Sequence, residues 1–116
     1  MRKLHTLYVL ATTVAFSTSA MALECPMLAK LDDPALVGAV ARILPDGVDL
    51  DAPDALETAV FDLKRAGVPD DAVLDNLIAS YCATTDAQAE LSDDAKTQRV
   101  KDFSTSATQM VFGASQ

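Results

Sequence analysis

From residue 33 onward, apolar side chains recur at intervals of three and four, the spacing of helices that bury one face. No stretch alternates with the period of two that a half-buried strand needs. Leu36, Val40, Ile43 and Leu44 form the first helical stripe. Asp33-Pro34 predicts its start, because the carboxylate accepts from free first-turn amides and proline has no N–H to leave unpaired there. Pro45-Asp46-Gly47 ends this helix at about Leu44. Leu56, Ala59, Val60 and Leu63 form the second stripe. Asp54 and Glu57 have the spacing of a capping box at its start, while Lys64, Arg65 and Gly67 predict its end, with Val68 packing back.

Pro69-Asp70-Asp71 restarts the chain, and Val73, Leu74, Leu77, Ile78, Tyr81 and Cys82 predict a third helix of about three turns with Cys82 on its core-facing side. Residues 83–91, rich in Ala, Thr, Asp and Gln, read as a loop or one weak helical turn. Ser92-Asp93-Asp94 caps a last helix whose seam is Val100, Phe103, Ala107, Met110 and Val111, reaching about Phe112 before Gly113. A short helix at Met27 to Leu31 completes an all-α domain over residues 23–116. The expected architecture is a small four- to five-helix bundle with connections short enough for antiparallel packing.

The segment before this domain follows a different rule. Arg2 and Lys3 precede an apolar run from Leu7 to Phe16, and Ala20-Met21-Ala22 places small side chains where signal peptidase reads them, so residues 1–22 are expected to be cleaved before Leu23. Thr12, Thr13 and Ser17 interrupt the run well short of the roughly 20 apolar residues of a membrane span, which leaves no stable membrane insertion after cleavage. Glu24 ahead of Cys25 argues against a lipoprotein. The expected location is the periplasm or the extracellular medium of a bacterium.

Removing the leader changes the charge. The 116-residue chain has nine Lys and Arg against 17 Asp and Glu; two of the basic residues and the one His lie in the leader. Seven basic and 17 acidic residues remain, a formal net charge of −10. That excess of carboxylate excludes nucleic acid and anionic lipid as partners, since both are bound through Lys and Arg. Without histidine, Ser-His catalysis, His-ligated zinc and c-type haem attachment have no imidazole to use. Asp46, Asp54 and Glu57 stand at the first, ninth and twelfth positions of a calcium-loop spacing, but Val48 and Leu50 replace oxygen ligands and Asp51 the required glycine, so no EF-hand is predicted. Acids at helix starts and on polar faces lack the apolar cleft that a glycosidase acid needs. No catalytic residue, metal site or cofactor is predicted, and the chain reads as a non-enzyme.

Cys25 and Cys82 both survive cleavage, and an even pair in an oxidising compartment reads as one disulfide. It closes a loop of 58 residues, worth about 4 kcal/mol in the chain-entropy model. A Cu(I) site on Cys25, Met27 and Cys82 is the minor alternative, and no Cys-x-x-Cys redox motif occurs. Phe61, offset from the centre of its helix stripe, and the adjacent Met110, Val111 and Phe112 are candidates for an exposed partner surface, against a broad core face with a frayed apolar end.

Leu77-Ile78-Ala79-Ser80-Tyr81-Cys82, followed by Leu91-Ser92-Asp93-Asp94-Ala95-Lys96 and then Arg99-Val100 and Phe103, resembles an uncharacterised family of small exported two-cysteine helical proteobacterial proteins over roughly the last 40 residues. The resemblance implies export, a helical fold and the helix carrying Cys82, and it brings no catalytic residue. In architecture the chain is also similar to the HdeA-type periplasmic acid-stress chaperones, small helical proteins closed by one disulfide, although it is more acidic and poorer in Lys. Two functions are therefore expected in competition. One is a binding protein whose acidic surface meets a cationic periplasmic protein, and the other is a chaperone switched on by acid, when protonation carries the side chains from −10 towards +7.

Overall fold

The computed structural model describes residues 24–26 and 31–113, so the leader and most of the Met27 to Leu31 segment lie outside the described residues. Among the described residues the fold is all-α, with helices α1 (Pro34–Ile43), α2 (Ala55–Arg65), α3 (Asp70–Asp86) and α4 (Asp93–Phe112) and no strand. Asp33 Oδ1 accepts from the Ala35 N–H at 2.9 Å and starts α1 as its sequence predicts. The Leu44 N–H closes the helix on the Val40 carbonyl at 2.8 Å, and a tight turn follows in which Val48 N–H donates to Pro45 O at 3.0 Å. Gly47 sits at the third turn position with φ 80°, the left-handed conformation that a type II turn demands there.

The start of α2 departs from expectation. Asp54 lies in the left-handed region (φ 65°, ψ 0°) and makes no side-chain cap bond, so the capping box with Glu57 does not form. A capping carboxylate reaches the first-turn amides from an extended backbone, and a left-handed residue does not present it there; aspartate is among the few side chains that tolerate this conformation. The end of α2 follows its prediction. Val68 N–H reaches Leu63 O at 3.1 Å and Gly67 N–H reaches Lys64 O at 3.0 Å, the paired bonds of a Schellman motif, with Gly67 at φ 99° and Val68 buried.

The third helix is longer than three turns. It continues past Cys82 to Asp86, so residues 83–86 are helical and only the remainder of the 83–91 segment is a connection. Burial of Thr85 holds the added turn inward, and Lys96 from α4 donates to the last carbonyl, Asp86 O, at 2.8 Å. Ser92 Oγ accepts from the Ala95 N–H at 3.1 Å and starts α4, whose 20 residues span about 30 Å. The seam between α3 and α4 is the most extensive in the bundle, and α2 packs on α1, α3 and α4. Leu63, Val73, Leu77, Cys82 and Val111 are the largest fully buried side chains. Tyr81 of α3 and Phe103 of α4 stack at the seam with ring centroids 4.0 Å apart and planes 2° from parallel.

Candidate functional site

Cys25 and Cys82 are joined, with Cα atoms 5.5 Å apart across a separation of 57 positions. The bridge ties the N-terminal segment to the fully buried inner side of α3 and places the chain in an oxidising compartment. Both sulfurs are consumed in the bond, which leaves no thiolate for the Cu(I) alternative, and its third ligand, Met27, lies outside the described residues. No helix of the described residues is long and apolar enough to cross a membrane.

The carboxylates lie at the surface of the bundle. Every Asp and Glu from Glu24 to Asp102 is exposed except Asp62, which is half-buried. The acidic loop between α1 and α2 divides its acids among separate tasks. Asp49 Oδ1 accepts from the Asp51 N–H at 3.0 Å, Asp51 takes the Tyr81 hydroxyl, and Asp54 supplies the left-handed residue. Among the described residues no three Asp, Glu, Cys or His side chains are grouped to hold a metal ion. Ion pairs are few. The described residues show Lys64 with Asp70 at 3.8 Å and Lys96 with Asp86 at 3.6 Å, and both lysines spend their shorter bonds on main-chain carbonyls instead.

The proposed apolar partner surface is divided by the structure. Phe61 is 60% exposed, with the Arg65 guanidinium 5.8 Å from its ring centre, and Phe112 is 41% exposed. Val111, only 1% exposed, belongs to the core, and Met110 packs against that core half-buried. Consecutive residues of a helix point about 100° apart, so Met110, Val111 and Phe112 cannot share one face, and Val111 is not a surface residue.

Two features were not visible in the sequence. The Tyr81 hydroxyl donates to the Asp51 carboxylate, 3.2 Å from Oδ1 and 3.1 Å from Oδ2, beside Arg99 and Asp102 of α4. Burial of the phenol raises its pKa above the ordinary 10.0, the Asp51 carboxylate raises it further by accepting its proton and repelling the phenolate, and Arg99 opposes both. The second feature is a cleft of about 490 Å³ between the end of α1, the turn after it and α3, bordered by the disulfide at Cys25. Its walls come from three separated segments, and no local sequence signal marks such a convergence. Comparison with protein-family models, with curated proteins and with solved structures finds no match for the chain.

Proposed function

We propose that this chain is a non-enzymatic binding protein of the bacterial periplasm or extracellular medium, whose acidic surface meets a cationic protein partner. The observation that carries this reading is the disposition of charge. Carboxylates are exposed on α2, α3 and α4 and on the loop between α1 and α2, while Lys64 and Lys96 turn their amines to carbonyl oxygens of the bundle. Excess charge of one sign on a surface speeds encounter with a partner of the opposite sign and rejects partners of the same sign. The leader read at residues 1–22 supplies the export step, and the disulfide suits the compartment it leads to.

The test is capture from periplasmic extract on immobilised, disulfide-intact protein at low ionic strength. A basic protein is expected to be retained and then released as salt shortens the Debye length to a few Å. Absence of any salt-sensitive partner overturns the reading. Suppression of client aggregation at about pH 3, below the ordinary carboxylate range, would instead make the chain an acid-activated chaperone.

A further inference from the structure

The cleft beside α3 combines apolar walls with one deeply placed polar group. Val40 of α1 and Leu44 at its C-cap lie across from Ala79 and Ala83 of α3, the turn after α1 brings Asp46 to the edge, and Asn76 lines the interior while being only 3% exposed. An asparagine at such burial in a helix interior has a poor helix propensity and an amide that must be satisfied. Its Nδ2 donates to the Ala72 carbonyl at 2.8 Å, which fixes which end of the amide is which. Oδ1 has no partner among the described residues, yet among them no side-chain polar atom is both sealed from solvent and unbonded, so Oδ1 keeps some access to solvent. Asn76 lines the cleft, and its amide oxygen is the atom it offers there.

A free amide oxygen can accept one backbone N–H of a bound segment, and the apolar walls beside it suit an aliphatic side chain. No described residue lining the cleft is basic, and Asp46 at its edge adds negative charge to an already acidic molecule. We propose that the cleft binds a short segment of the cationic partner in which an aliphatic residue is flanked by Lys or Arg. A backbone N–H of the partner donates to Asn76 Oδ1, its aliphatic side chain lies on Val40, Leu44, Ala79 and Ala83, and its basic side chain meets Asp46. This assignment rests on the acidic-surface reading and names where on that surface the partner is recognised.

The experiment uses three capped tripeptides as probes, Lys-Leu-Lys, Lys-Gly-Lys and Glu-Leu-Glu, followed by backbone amide NMR of the disulfide-intact protein. Lys-Leu-Lys is expected to shift the amides of Gly47 and of residues 76–87 saturably, with Lys-Gly-Lys at least about fivefold weaker and Glu-Leu-Glu weaker still. Ala83→Phe fills the cleft from an exposed position and leaves the core intact, so it is expected to abolish these shifts, while Asn76→Leu and Asp46→Asn each weaken binding by about threefold or more. Equal binding of Lys-Leu-Lys and Lys-Gly-Lys, or no effect of Ala83→Phe, overturns the assignment. If Ala83→Phe still captures the salt-sensitive partner as wild type does, the cleft assignment fails and the acidic-surface reading stands; if neither protein captures one, that reading itself fails.

Discussion

Lys64 Nζ, at the end of α2, lies 2.7 Å from the carbonyl oxygen of Val111, in the last turn of α4 and 47 positions away. A helix C-terminus presents unpaired carbonyls and a partial negative charge, so an ammonium from a neighbouring helix both satisfies an acceptor and complements the dipole. Lys96 does the same for α3 through Asp86 O at 2.8 Å. Each of these helices thus has its end closed by a lysine of another element, and the closure works only when the bundle is assembled.

Replacing Lys64 by Met keeps the aliphatic stem and removes the ammonium. Lys64→Met is expected to lower unfolding stability by about 1 kcal/mol in urea titrations, the usual worth of a charge-assisted hydrogen bond at a helix end. Asp70→Asn, which leaves the bond to Val111 and removes the exposed ion pair at 3.8 Å together with one of the two first-turn carboxylates of α3, is expected to cost less than Lys64→Met, about 0.5 kcal/mol. Equal losses in the two variants would show that the ion pair, not the bond to Val111, carries the interaction.

Features confined to a few neighbouring residues were legible in the sequence. Asp33 and Ser92 cap α1 and α4 because side chain and amide are two or three positions apart, and the Gly67 motif is complete within six residues. With two cysteines left after the leader, the disulfide had one possible pairing. What escaped reading depended on distant partners. The extra turn of α3 rests on burial of Thr85 and on Lys96, and the cleft on three segments meeting. Asp54 was the exception: its capping-box spacing is local, yet the left-handed backbone of the preceding loop overrides it.

The disulfide is expected to be a principal source of stability. Cys25→Ala removes the cross-link and leaves Cys82 in the core, where a free thiol behaves as a small apolar side chain. In the chain-entropy model, opening a loop of this length costs about 4 kcal/mol, against a total of about 5–15 kcal/mol for a typical domain. Denaturant unfolding of Cys25→Ala and of the reduced wild-type protein are expected to show the same loss. A loss below about 1 kcal/mol would mean that the reduced chain unfolds to an ensemble no larger than the oxidised one.

The Tyr81 phenol links stability to alkaline pH. Its folded-state pKa is raised above 10.0, chiefly by burial and then by Asp51, whereas in the unfolded chain it ionises at its ordinary value. Between those two pH values the folded protein keeps the proton and the unfolded chain loses it, so the folded state binds more protons and stability falls as pH rises. The contribution is fully present below pH 10 and is lost as pH rises through the folded-state value. Tyr81→Phe retains the stack on Phe103 but removes both the ionisation and the bond to Asp51. It is expected to cost about 0.5–1.5 kcal/mol at neutral pH, while losing less stability than wild type on going above pH 10. Tyr8 falls in the leader, so in the chain from Leu23 onward the ultraviolet titration reports Tyr81 and should show tyrosinate forming above pH 10, a signal that Tyr81→Phe lacks. A midpoint at or below that value would place the phenol in water and break the argument that Asp51 and burial hold its proton.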